Sequence, residues 1–283
     1  MISRSEKNKS LENEINYEKT INISKKIIKT FFIVILIFSS IFLYAYFIGV
    51  KGIKTNEYVV KDNIPKSFNG IKILHFSDLL YGETINNEDL STLSDEFKLI
   101  NPDIVIFSGN LINNDYRPKE NEINELKKFM NNIPYKLGKY AVKGEFDSTN
   151  FDLIMDNTNF DILDNEIKSI YNNEKESINI CGINTNKKEN IDKKNNDYTI
   201  TIINNYDNYN EYNITSNLIL SGSNLGGELK LFNTPLISNN KYMDSYYNID
   251  NTKIYISNGL GTIHHMRLMN HPSINVYRLI SYF

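Results

Sequence analysis

Residues 100–113 read Ile-Asn-Pro-Asp-Ile-Val-Ile-Phe-Ser-Gly-Asn-Leu-Ile-Asn. At their centre, 103–107 open on Asp103 and continue as an unbroken apolar run, 104–107, that stops at Ser108-Gly109. A short run without alternation, closed by small residues, is the pattern of a strand buried on both faces. Upstream, residues 87–100 have helical spacing, with Leu90, Leu93, Phe97 and Ile100 on one face. Before them, 71–76 repeat the buried-strand pattern and end at Ser77-Asp78. Downstream, 121–130 read as a helix with Ile123, Leu126 and Phe129 apolar, and 139–142 as a strand running out to Gly144. The first half is therefore βαβαβ. Residues 57–62 alternate as a strand, 151–157 suit a helix, and 178–182, 198–203, 218–220, 253–257 and 275–280 are further strands. The stretch 174–196, rich in Lys, Asn and Glu, reads as a solvated insertion. Strand after strand stops at a small residue, as happens where loops at strand C-termini build a site.

Composition narrows the class. The chain has 283 residues, 41% hydrophobic and 23% charged, which excludes collagen-like and wholly disordered chains. A net charge of −3 gives no electrostatic footprint for nucleic acid. Cys181 is the only cysteine and has no intrachain partner for a disulfide. The histidines number four: His75, His264, His265 and His271. That scarcity matters, because histidine is the commonest metal ligand.

Residues 31–50 read FFIVILIFSSIFLYAYFIGV, twenty residues without a charge. As a helix at about 1.5 Å per residue they match a bilayer's hydrocarbon thickness. The run exceeds a typical signal-peptide core and no small-x-small cleavage site follows it, so it is expected to stay as a single-pass anchor. Lys19, Lys25, Lys26 and Lys29 precede it, whereas Lys51, Lys54 and Lys61 follow. This bias favours a cytoplasmic N-terminus and an extracytoplasmic C-terminal domain at the cell membrane. The expected organisation is a polar cytoplasmic tail over 1–30, disordered or fraying as a helix, a transmembrane helix over 31–50 and a domain over 54–283.

The strand-end loops carry a resemblance. HFSDLLYG (75–82), INPDIVIFSGNLIN (100–113), LGKYAVKGEFD (137–147), FDILDNEIKSI (160–170), INICGIN (178–184), NLILSGSNLGGELKLF (217–232) and IYISNGLGTIHHMRLMNHPSINVYRLI (254–280) follow one another in order. Together they resemble the calcineurin-like metallophosphoesterases, nearest the membrane-anchored bacterial branch. The resemblance implies a four-layer α/β/β/α sandwich of two mixed sheets. It also implies a dinuclear metal centre held by Asp-x-His, Gly-Asp, Gly-Asn-His-Asp/Glu, a lone His and Gly-His-x-His. Such a pair of ions clamps a phosphate and activates water.

Carried over residue by residue, that centre is almost gone. Asp78 is retained, but the His that follows it in the family is Leu80. The metal-bridging carboxylate is Asn110. Glu145 takes the place of an Asn ligand, and Phe146 that of the leaving-group His. Asn204 stands at the lone His. Ser223 and Leu225 replace the final pair of histidines. Of seven ligand positions, only Asp78 keeps the family residue, and none of the four histidines falls on a ligand position. His75 reads as a core residue, and the other three as parts of terminal connections. Leu80, Phe146 and Leu225 are expected to fill the old metal cavity with hydrocarbon.

The reading is thus a membrane-anchored, catalytically inactive pseudoenzyme with a binding or scaffolding role and no cofactor. Expected partners are the lipid bilayer and an active paralogue or envelope protein, with no nucleic acid. The alternative is a metal-dependent phosphoesterase, acting on lipid headgroups, with a rebuilt oxygen-rich site. There Asp78, Glu145 and Asp147, with Asn110, Asn204 and Ser223, would hold Mg or Ca weakly. Failing that role, Glu145 and Asp147 would be solvated loop acids, and Asp78 a turn or cap residue.

Overall fold

The structure is a computed structural model that describes residues 4–113, 115–172, 175–187, 191, 197–212, 214–232, 234–237 and 240–282. Much of the expected insertion at 174–196 lies outside the described residues. The chain divides into two compact units, Met1–Ala45 and Tyr46–Phe283.

The first unit is helical. Helix α1 (Arg4–Leu43) runs on into a π-helical turn, Tyr44–Ile48. No Gly or Pro precedes Gly49 to interrupt it. The expected loose tail over 1–30 is therefore helical from Arg4 onward. Within this stretch, Asn13–Ile48 is long and apolar enough to cross a membrane.

Among the described residues, the second unit is built on fourteen strands. β1 (Lys54–Asp62), β2 (Lys72–Phe76), β3 (Ile104–Phe107), β4 (Gly138–Ala141), β5 (Asp161–Ile162) and β14 (Ser273–Ser281) form one sheet, ordered β1-β14-β2-β3-β4-β5. β6 (Glu166–Tyr171), β7 (Ser177–Ile183), β8 (Thr199–Ile203), β9 (Leu218–Ser221), β12 (Tyr246–Ile249) and β13 (Thr252–Ile256) form the second, ordered β12-β13-β9-β8-β7-β6. β10 (Lys230–Leu231) and β11 (Thr234–Pro235) make a separate two-stranded hairpin. Both large sheets are mixed. β2, β3, β4 and β5 run parallel beside antiparallel β14, and β7, β8, β9 and β13 run parallel between antiparallel β6 and β12.

Strand alternation sorts the core into layers. From β2, Leu74 and Phe76 pack with Leu90, Leu93 and Phe97 of helix α2 (Asn87–Ile100) and with Leu126 and Phe129 of helix α3 (Glu120–Asn132). Ile73 faces the other way, onto Ile178, Ile180, Ile200, Ile202 and Leu220 of the second sheet. Helix α2 starts where Asn86 caps it, accepting from the Glu88 and Asp89 N–H groups. A short helix α4 (Thr149–Met155) completes the first helical layer. The fourth layer is thinner than a full helical layer. Among the described residues, the outer face of the second sheet is covered by the 3-10 segment Tyr206–Glu211 and a group of tyrosines.

This architecture brings the ends of two parallel strand sets together. The loop after β2 pairs with the loop after β3 through Asp78 N–H to Gly109 O (2.9 Å), Leu80 N–H to Asn110 O (3.1 Å) and Tyr81 N–H to Leu111 O (3.1 Å). From the second sheet, Gly222 N–H donates to Asn204 O at 2.9 Å. Gly261 N–H reaches across to Asp78 O at 2.7 Å. The loops of both sheets therefore meet at Asp78.

Candidate functional site: a centre closed by its own side chains

Asp78 is buried, and both of its carboxylate oxygens are engaged. Oδ1 accepts from Asn110 Nδ2 at 2.7 Å. Oδ2 accepts from the Ser77 hydroxyl at 2.6 Å and from the Ser223 N–H at 2.9 Å. Burial pushes the Asp78 carboxyl above its ordinary range, and the bonds from Ser77, Asn110 and Ser223 pull the other way. Asp78 therefore does more than shape its own turn. It ties the loops after β2, β3 and β9 to one another.

Asn110 completes the tie. Its side-chain oxygen accepts the Phe146 N–H at 3.0 Å while its nitrogen faces Asp78. Asn204, fully buried, donates to Ser108 O at 2.7 Å and accepts the Glu145 N–H at 3.1 Å. An amide offers both a donor and an acceptor, so each asparagine can bridge two loops. A carboxylate or an unprotonated imidazole nitrogen there would offer lone pairs to an ion instead.

The approach of these loops depends on glycine. At Gly109, φ is +93°, and a Cβ there would lie 2.4 Å from the Gly144 nitrogen. At Gly144, a Cβ would lie 2.1 Å from Asn110 Oδ1. No side chain fits at either position.

Leu80 and Leu225 are buried, as apolar fillers should be. Leu225 packs so closely over Gly259 that a Cβ on that glycine would come within 2.5 Å of Leu225 Cδ2. Phe146 departs from the expectation. It is half-buried and lines a side pocket of about 390 Å³ with Ile112, Tyr116, Arg117 and Phe151, rather than filling the floor.

Glu145 is exposed, as a solvated loop acid would be. Asp147 is not such a residue. Its Oδ2 accepts the N–H groups of Asn110 and Gly144, and its Oδ1 that of Leu111, all at 2.8 Å. Burial pushes this carboxyl up to about 6, against the pull of the three N–H groups, with a further push from Asp78. Its oxygens organise the β3 loop. Its place in Gly144-Glu145-Phe146-Asp147 would equally have suited a ligand, and the sequence carries no signal for which way the carboxylate turns.

Two buried polar residues complete the surroundings. His75 lies between the sheets, with Nε2 2.9 Å from Ser108 Oγ, and burial lowers its pKa to about 3. Arg267 is fully buried and donates through Nη2 to the carbonyls of Asn258 (2.7 Å), Gly261 (2.6 Å) and Gly259 (3.3 Å). Burial lowers it to about 10, opposed by the charges of Glu228 and Asp78. It supplies positive charge from the side of the centre. Its place in the segment 254–280 that carries the family resemblance was visible in sequence, but its burial was not, since arginine is rarely enclosed.

A dinuclear ion pair needs a bridging carboxylate and several nitrogen or oxygen lone pairs. Here the bridging position presents an N–H group to the lone retained carboxylate. Among the described residues, no three or more His, Cys, Asp or Glu side chains gather in a way that could hold a metal ion. His264 and His265 are engaged elsewhere, with Glu228 and Glu83. The residues present do not fit the dinuclear group.

Two comparisons locate the chain among known proteins. A calcineurin-like phosphoesterase family model matches residues 71–279. The uncharacterized metallophosphoesterase YkuE of Bacillus subtilis (strain 168) is 27% identical over 261 residues, covering 84% of this chain and 89% of that protein. The match runs from β2 to β14, across every loop that meets at Asp78, and so the chain belongs to the calcineurin-like phosphoesterase family.

Proposed function

We propose that this protein is a membrane-anchored phosphoesterase-fold pseudoenzyme that binds or scaffolds without hydrolysing phosphoesters. The observation that carries this reading is the 2.7 Å bond from Asn110 Nδ2 to Asp78 Oδ1. A donor aimed at the surviving carboxylate does the charge-satisfying work an ion would do, and repels a cation approaching the same oxygen. The alternative, a rebuilt Mg or Ca site, requires free oxygens on Asp78 and Asp147, and both carboxylates are already committed. In the anchored arrangement we place the N-terminus in the cytoplasm and the domain outside it, following the lysine bias around the apolar segment. The partners we favour are the bilayer and an active paralogue or envelope protein.

Hydrolysis needs a nucleophile, neutralisation of the phosphoryl oxygens and assistance to the leaving group. Asn110 cannot bridge two cations and Phe146 cannot donate a proton. Removing one electrostatic donor from a working site costs about a hundred- to a thousandfold. The expected outcome is no turnover of p-nitrophenyl phosphate or bis-p-nitrophenyl phosphate with Mn, Mg, Ca or Zn, and no metal retained through dialysis. Asp78→Ala should change neither result. Turnover by the wild type that Asp78→Ala abolishes would refute the proposal in favour of the rebuilt enzyme.

A further inference from the structure

The hairpin β10–β11 exposes hydrocarbon that no other described residue of the domain covers. Phe232 is 81% exposed and Ile237 67%, with Leu231 and Leu236 about half exposed. Among the described residues, no third strand flanks this hairpin. Clustered exposed apolar side chains on one small element mark a contact surface rather than ordinary scatter.

The hairpin is fastened to a second exposed apolar loop. Lys230 N–H donates to Leu268 O at 2.9 Å, and Leu268 N–H to Glu228 O at 3.0 Å. The Glu228 carboxylate also accepts the Ile263 N–H and contacts His264 Nδ1. On this loop Ile263 and Met269 are exposed. On the same loop, His265 stacks on Tyr46 with ring centroids 4.4 Å apart and contacts Glu83 at 2.8 Å. Tyr46 belongs to the end of the apolar segment Asn13–Ile48, followed by exposed Phe47 and Ile48. Hairpin, loop and segment end are thus one connected set.

We propose that Leu231, Phe232, Leu236 and Ile237 of the hairpin, with Ile263 and Met269 of the loop, form a shelf that rests in the interfacial layer of the bilayer holding the N-terminal helix. The inference rests on the anchored reading above. Continuity with the apolar segment selects the occupant, because whatever solvates Phe47 and Ile48 lies within reach of the loop joined to Tyr46. Phe, Leu, Ile and Met beside a tyrosine are the composition of an interfacial contact. The acids on this end are engaged: Glu83 and Glu228 contact His265 and His264, and Asp89 pairs with Lys51. The shelf would hold the strand-end loops, and with them the Phe146 pocket, toward the headgroups.

The test uses the full chain in phosphatidylcholine–phosphatidylglycerol vesicles. An environment-sensitive fluorophore is placed on Phe232→Cys, Met269→Cys or Leu99→Cys, one at a time. Cys181 is buried with its thiol pushed up to about 12, so it stays unlabelled. Leu99 is the control: it is 82% exposed in the last turn of α2, roughly 18 Å along the helix from its capped start. Contact with the bilayer should blue-shift the probes at 232 and 269 and spin-labelled lipid should quench them, with 99 unchanged in both respects. Equal behaviour at all three positions, in a chain that floats with the vesicles, overturns the shelf alone. Disulfide formation between two Phe232→Cys chains without lipid quenching also overturns it, in favour of a second copy as the occupant. A chain that does not float overturns the anchor and the shelf together.

Discussion

Ile200 and Ile202, inside β8, are enclosed by hydrocarbon from both sheets, whereas Asn204, just past the strand's end, is enclosed by hydrogen bonds to Ser108 O and Glu145 N. The same contrast runs through β2 and β3. Strand bodies are extended, apolar and held by burial. The loops are polar and held by specific pairs, and their backbones are strained. Asp78, Leu80, Asn110, Ser223 and Leu225 have φ of 50°, 43°, 63°, 66° and 48°. A left-handed backbone costs a non-glycine residue about 1–2 kcal/mol, and it persists only where surroundings over-determine it. The family's ligand loops thus keep a demanding shape with little of the metal-binding chemistry. In this chain the shape is enforced by hydrogen bonds between loops.

The comparison can be broken first by stability. Ile200→Ala removes buried hydrocarbon from a close-packed layer and should cost about 2–5 kcal/mol in denaturant unfolding. Asp78→Ala leaves the Ser77, Asn110 and Ser223 donors buried without an acceptor, and should cost about 1–3 kcal/mol. An Asp78→Ala variant as stable as wild type would mean that the loops hold their shape without the tie.

Acid titration sharpens the contrast, because the two regions respond with opposite sign. His75 is neutral in the fold, its pKa lowered by burial from 6.5 to about 3. Its contribution is complete above about 6.5 and is lost as pH falls toward 3, at no more than about 1.4 kcal/mol per pH unit. Asp147 is raised from 3.8 to about 6, so the fold holds its proton more tightly than the unfolded chain does. Its contribution therefore grows as pH falls from 6 toward 4. In that window the two oppose each other. His75→Gln should become more stable on acidification from pH 6 to pH 4 relative to wild type, and Asp147→Asn less so. Parallel slopes for both variants in urea-unfolding series would show that neither group is perturbed as the geometry implies.

The smallest effect tests the strain itself. Ser223→Gly keeps the backbone N–H that Asp78 accepts and relieves a left-handed residue. Against this, glycine adds about 0.4–1 kcal/mol of unfolded-chain entropy. A net gain of about 0.5 kcal/mol, seen as a small rise in Tm, is expected. A loss would assign the serine hydroxyl a structural role.

Much of the fold was legible because burial imposes periodicity. Helix α2 lies where Leu90, Leu93 and Phe97 repeat, and its bounds coincide with the expected 87–100. The buried strands β2, β3, β7, β8 and β9 follow short, largely apolar runs. The edge strands β6 and β12 were missed for the converse reason. In β6 only Ile167 and Ile170 are buried, and β12 has no buried residue, so neither leaves a clear pattern. Helix α1 was read as two segments because the charge pattern changes at residue 31, although the backbone continues through it.

At the centre, residue identities set against the family's ligand positions stated which metal-ligand chemistry was missing, because Leu and Phe lack a ligating atom and the Asn110 amide lacks a carboxylate's charge. Which way each remaining polar group turns was decided only by the tertiary structure. Asp147 faces three backbone N–H groups rather than an ion, Asn110 aims its nitrogen at Asp78, and Arg267 is enclosed beside them. Sequence spacing places such groups on loops, but an amide or a carboxylate has several rotamers and several possible partners there. The choice among them is made by the loops of two different sheets, brought together only when β2, β3, β8 and β9 have packed.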